Sequence, residues 1–293
     1  MKFPTLALAL AAAFTGADAY WKGFNNQANN VDGSCKSQAE YENDFNTMKS
    51  LPGYFTSMRL YASSDCNQLA NAVPAALATG GQILVGIWTE DDDHYAAEKQ
   101  ALLSVVQTYG FDWMVAVSVG SEDLYRGDAP AWRIAQQIYD VRGMLSIQTG
   151  YSSNVQVGHV DTWTAWVDPN NEVVIQACDW VGTDGYPYYQ GTYDNGIDNA
   201  YNLFWDSVYQ VRDVVNAAHP GAWVWVTETG WPTAGASVNN AVPSIENAQA
   251  YWSQTICSSF AHGHTFVYVL QDGGDLPFGV VDSNFNPVYN LAC

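Results

Sequence analysis

Eight short runs rich in β-branched and aromatic residues, separated by stretches of helical period, limit what this chain can fold into more than any other feature of its 293 residues. The predicted strands are 20–25, 55–61, 82–88, 113–120, 155–160, 179–184, 223–228 and 265–271. Between them stand recognisable helix boundaries. Ser37 and Glu40 have capping-box spacing, Asp128 precedes Pro130, Pro243-Ser244 opens a helical run through His262, and Gly80 and Gly110 mark ends. Eight strand–helix alternations predict a parallel (β/α)8 TIM barrel, an α/β fold. An open doubly wound sheet fits less well, because no strand run is followed by a G-x-G-x-x-G loop. No linker or low-complexity tract interrupts the pattern, so residues 20–293 read as one domain. On such a barrel, chemistry collects where strands end.

Charge narrows the choice of partner. Lys and Arg number 10 against 30 Asp and Glu, and a net charge of −20 repels phosphate backbones and anionic lipid headgroups, so neither nucleic acid nor a membrane surface is expected as a partner. With 12 Trp and 18 Tyr, the chain is rich in flat rings with polar edges, which suit neutral sugars. Residues 1–19 read as an export signal: Lys2, an apolar run over 6–14 and Ala17-Asp18-Ala19 before Tyr20. That start predicts a secreted protein, extracellular or held in a cell wall, with no lipid-anchoring tail. Five cysteines in an exported chain favour disulfides, with one thiol left over. Chain position suggests Cys35 with Cys66 and Cys257 with Cys293, leaving Cys178 free; spacing alone leaves other pairings open.

Two predicted strands end on a glutamate. The run Trp113–Gly120 delivers Ser121-Glu122-Asp123 to the rim, and Trp223–Thr227 delivers Glu228, followed by Thr229-Gly230-Trp231-Pro232. Either glutamate alone is an ordinary solvated strand end. Two of them, three strands apart on one barrel, point to paired carboxyl chemistry.

These two segments, Val119-Gly120-Ser121-Glu122-Asp123-Leu124-Tyr125-Arg126 and Trp225-Val226-Thr227-Glu228-Thr229-Gly230-Trp231-Pro232, resemble the acid/base and nucleophile segments of glycoside hydrolase family 17, in its fungal secreted β-1,3-glucanase branch. Phe55–Tyr61, Gly158–Thr164 and Val181–Pro187 resemble family segments in the same order, so the similarity covers nearly the whole mature chain. Plant relatives carry Asn directly before the acid/base glutamate, whereas Ser121 stands here, which leaves open the group that contacts the sugar 2-hydroxyl. The resemblance implies a (β/α)8 barrel, retaining cleavage of β-1,3-glucan, and no metal or other cofactor. Glu122 is then the acid/base and Glu228 the nucleophile, and retention requires their carboxyls to lie about 5–5.5 Å apart. Glu122 must hold its proton, and an ionised Glu228 close by raises its pKa.

Around this pair, Arg59 is the cation expected to hydrogen-bond Glu228 and Tyr186 the hydroxyl expected to donate to it. Ser121, Tyr61, Asp161 and Trp231 complete the candidate substrate-binding set, with Trp231 offering a stacking face. Trp88 and Trp163 read more readily as core. Asp91-Asp92-Asp93 reads as a helix start rather than a cation site, and His262-Gly263-His264 lacks a third ligand for zinc. The expected function is endo-acting hydrolysis of β-1,3-glucan by a monomer. The alternatives are a β-1,3-glucanosyltransferase using the same residues and a wall glucan-binding protein without turnover.

Overall fold

The computed structural model describes residues 20–293; the predicted export signal, 1–19, lies outside the described residues. Its strands are β1 (Lys22–Asn25), β2 (Ser57–Arg59), β3 (Gln82–Ile87), β4 (Met114–Ser121), β5 (Val157–Thr162), β6 (Trp180–Asp184), β7 (Trp223–Glu228) and β8 (Thr265–Val267). They pair in sequence order, all parallel, and β1 closes on β8, so the expected TIM barrel is present. The eighth strand ends at Val267, four residues short of the predicted limit.

Helix boundaries follow local chemistry. Glu40 reaches back to accept the Ser37 N–H at 2.7 Å, completing the capping box of helix Gln38–Ser50. Asp91 accepts the His94 N–H at 2.8 Å and starts helix Asp92–Tyr109, so the acidic run there serves as a cap. Gly80 and Gly110, at φ 67° and 69°, end their helices in a conformation that side chains disfavour. The predicted helical run 243–262 is segmented: Ile245–Tyr251, a wider turn over Trp252–Ile256, then Cys257–His262.

Two cores form. The larger one lies between sheet and helices, where Phe24, Phe45, Met58, Val117, Val181 and Trp252 are buried. The smaller one plugs the barrel interior: Leu84, Val115, Ala116, Val160, Trp180, Trp225 and Phe266, with the two indoles stacked 4.4 Å apart. His264 packs against Trp225 and accepts the Trp21 N–H, and desolvation of the half-buried imidazole shifts its pKa down to about 4. This plug occupies the strand-start half of the barrel and leaves the strand-end half to polar residues.

Disulfides join Cys35 to Cys66 and Cys257 to Cys293, and Cys178 is a buried free thiol. Cross-links closing loops of 31 and 36 residues are each worth about 3–4 kcal/mol on a chain-entropy basis. Among the described residues, no helix is long and apolar enough to cross a membrane.

Candidate active site

The strand ends build the site because two of them break register. The pairing of β4 with β5 shifts between Ser118 and Ser121, and that of β6 with β7 shifts between Thr183 and Asp184. Such bulges re-aim side chains at a barrel rim. Gly120 makes the first one feasible: at φ 82° it lies so close to Asp123 that a Cβ would fall 2.3 Å from the carboxylate. Glu122 follows in the left-handed region at φ 59°, with its N–H donating to the Val160 carbonyl at 2.9 Å.

The short helix Asp123–Arg126 continues from Glu122, and buried carboxylates anchor it. Asp123 accepts from the Ser121 N–H at 2.8 Å and from the Thr89 hydroxyl. Asp161 accepts from the Leu124 and Tyr125 N–H groups at 2.9 and 3.2 Å and lies 3.1 Å from His159 Nε2. Asp161 is therefore turned away from the cleft and fully buried, and its predicted contact with glucose is corrected: it fixes the turn that carries Glu122.

Glu228, 8% exposed at the end of β7, collects the strongest donors in the site. Its Oε1 accepts from Arg59 Nη1 at 2.6 Å and the Tyr61 hydroxyl at 2.9 Å, and its Oε2 from the Tyr186 hydroxyl at 2.7 Å. Arg59 is itself buried and reaches the Ser121 hydroxyl with Nη2 at 3.0 Å, so one guanidinium ties the ends of β2, β4 and β7 together. Burial works against the Arg59 charge, but Glu228 first, and then Tyr61 and Asp184, together outweigh it and raise its pKa. Tyr61 and Tyr186 are held firmly as phenols by burial and by the Glu228 charge. A carboxylate gripped through both oxygens in this way is fixed in direction.

Glu122 has the opposite surroundings. Among the described residues its only ion-pair partner is Arg126, 3.4 Å away and itself engaged by Asp128 at 2.6 Å. Burial, then the Glu228 charge, then the Asp161 charge raise its pKa to about 7, against the lowering pull of Arg126 and Arg59.

Both glutamates open onto one cleft of about 870 Å³. Trp88, Tyr125, Trp163, Tyr189 and Tyr193 line it, with Asp184, Tyr61 and Tyr186 also on its wall. Trp88 and Trp163 thus line the cleft, Trp163 while also packing against the core. Trp231 does the reverse: it is 2% exposed, donates from Nε1 to the Val242 carbonyl and packs on Tyr188 and Tyr251, so its predicted stacking role is corrected. The sequence reading missed Tyr125, Tyr189 and Tyr193, each more than half exposed. Their signal was present, since each follows shortly after a strand that carries a site residue.

Among the described residues, Asp65, His94 and Glu98 form the one trio whose ligand atoms converge. Glu98 already accepts from the N–H groups of Ser63, Ser64 and Trp88, which marks it as a structural clamp. His264 sits with the interior plug, away from the cleft.

Residues 23–273 match the model of the BtgE/BtgC glycoside hydrolase domain. A probable glucan endo-1,3-beta-glucosidase of Aspergillus oryzae is 40% identical across 99% of this chain and 66% of its own length. The chain thus spans about two thirds of the length of that relative. A glucan 1,3-beta-glucosidase of Saccharomyces cerevisiae is 37% identical, with 100% of this chain and 99% of the relative aligned. A β-1,3-glucanosyltransferase of Rhizomucor miehei, solved as an active-site mutant with laminaritriose, superposes with a TM-score of 0.78 at 27% identity, covering 95% of this chain and 99% of that one.

Proposed function

Because the chain belongs to the BtgE/BtgC glycoside hydrolase family, we propose that it cleaves β-1,3-glucan with retention of configuration, through a covalent glycosyl-enzyme. The observation that carries this reading is the contrast within one cleft: Glu228 bound by Arg59, Tyr61 and Tyr186, and Glu122 with its pKa raised to about 7.

The chemistry follows from that asymmetry. A Glu228 oxygen attacks the anomeric carbon while protonated Glu122 gives its proton to the departing glycosidic oxygen. The bond to the leaving sugar breaks, a glycosyl ester forms on Glu228, and Glu122 is left as a carboxylate. Burial continues to raise the Glu122 pKa, but neutralising Glu228 removes the largest charge contribution to that rise, while Arg126 remains close enough to favour the new anion. Glu122 then takes a proton from an incoming hydroxyl, which displaces Glu228 from the sugar. Arg59, Tyr61 and Tyr186 stabilise the carboxylate before attack and as it departs.

The incoming hydroxyl comes from water in hydrolysis or from a second glucan chain in transfer. Transfer is supported by the exposed rings of Tyr125, Tyr189 and Tyr193 with Trp88 and Trp163, a surface on which an acceptor sugar can stack, and by the similarity to a glucanosyltransferase. Incubation with a β-1,3-linked oligosaccharide and sizing of the products tests both. Shorter products alone signify hydrolysis, longer chains signify transfer, and an unchanged substrate overturns the reading. The two disulfides and the export-type start support action outside the cell, on wall glucan.

A further inference from the structure

A third carboxyl stands beside the pair. Asp184 ends β6 directly opposite Glu228 in the sheet register and reaches the cleft wall, yet is 2% exposed. Its Oδ1 accepts the Thr227 hydroxyl at 2.8 Å, and its Oδ2 has no hydrogen-bond partner among the described residues.

Other buried acids of this chain are well supplied. Glu98 is met by three backbone N–H groups, Asp161 by three backbone N–H groups and the His159 ring, and Asp44 by Lys36 and Asn26. Asp184 has a single neutral hydroxyl and a carboxylate for a neighbour. The nearby cation, Arg59, gives Nη1 to Glu228 and the Thr227 carbonyl and Nη2 to Ser121, and its Nε makes no hydrogen bond among the described residues. Burying a carboxylate with so little compensation costs several kcal/mol, and such a group keeps its proton instead.

We propose that Asp184 is a positioning residue that works as an uncharged carboxylic acid, leaving Glu228 the sole anion on the cleft floor and Arg59 not shared between two carboxylates. Groups facing Asp184 from the packed elements are Glu228 on β7, Arg59 on β2, Glu122 beyond β4, and Tyr61 and Tyr186. Burial first, then Glu228, hold the Asp184 pKa well above the ordinary carboxyl range, and Glu122 adds to this; Arg59 and the Thr227 hydroxyl act in the other direction. Were Asp184 to ionise, it would compete for Arg59 and loosen the nucleophile. The inference deepens the glycosidase reading and rests on it for the positioning role, while the charge state stands on geometry alone.

The test is Asp184→Asn, which keeps an oxygen for Thr227 and puts an N–H where the carboxyl proton sits. A group whose folded pKa is raised stabilises the fold below its unfolded value, near 4, and that contribution is lost as pH rises toward the folded value. The Tm of D184N minus that of the unaltered protein should therefore grow steadily from pH 4 to pH 8. A difference that stays flat or shrinks over that range overturns the proposal, and this readout needs no turnover. In the oligosaccharide assay at pH 5, D184N should retain kcat within about threefold while Asp184→Ala loses more than tenfold, rescue by the neutral isostere being the signature of an uncharged acid. A folded D184N with a hundredfold loss in kcat would mean that a charge or a mobile proton is required at this position and would also overturn it. Were the unaltered protein inactive on every β-glucan, the glycosidase reading would fail and the Tm comparison would still decide the charge state.

Discussion

The ends of β4 and β7 present the same side chain to the same cleft and give it opposite properties. At β7, Glu228 is bound through both oxygens by a guanidinium and two phenols. At β4, Glu122 has one arginine at 3.4 Å and is otherwise surrounded by burial and negative charge. The amino acid is therefore not what sets the role. Neighbours that supply hydrogen bonds fix one glutamate in direction, and burial with nearby negative charge raises the pKa of the other to about 7.

The largest effect should come from removing the anion. Glu228→Ala should lower kcat on β-1,3-glucan on the order of 10⁴-fold or more, at every pH, as expected when the group forming the covalent bond is lost. Glu122→Gln should cost about 10²–10⁴-fold on the polysaccharide. It should cost far less on an aryl glycoside whose leaving group needs no proton, and that recovery, absent in Glu228→Ala, separates the two roles in one kinetic series. The unaltered protein should lose kcat/KM as pH rises through about 7, where Glu122 gives up its proton, and the Gln variant should lose this limb.

Smaller changes sharpen the contrast without abolishing it. Tyr186→Phe removes one donor from Glu228 and should cost about 1.5–3 kcal/mol, read as a ten- to hundredfold fall in kcat with KM little changed. Arg126→Met should have the mildest effect. Its charge lowers the Glu122 pKa, so its loss should move the alkaline limb of the kcat/KM profile to higher pH. A limb that moves down or stays fixed would show that Arg126 does not set the protonation of Glu122.

How far the sequence foretold this depends on where along each strand one looks. The eight strands were legible because apolar runs with turn residues on either side report burial directly, and the helix starts at Ser37 and Asp91 because capping chemistry is local. The two glutamates were legible from motif resemblance. Side-chain direction at the rim was not. Period-two alternation tells inside from outside only while register holds, and register slips at Ser118/Ser121 and at Thr183/Asp184, where the site begins. Beyond those strand ends, alternation no longer applies: Asp161 lies buried under the Glu122 turn, Trp231 is in the core, and Trp88 and Trp163 line the cleft. Asp184 escaped notice because nothing local marks a buried acid whose donors have been taken by its neighbour across the sheet.

The left-handed backbone at Glu122 works against durability. A residue with a Cβ sits there at an expense of about 1–2 kcal/mol that glycine would not incur, although glycine gives part of that back through its greater freedom in the unfolded chain. Replacing Glu122 by glycine should thus give a protein that resists heating at least as well as the unaltered one. On the glycosidase reading, a variant picked for thermal endurance alone could lose its acid here without any sign of it in a melting curve.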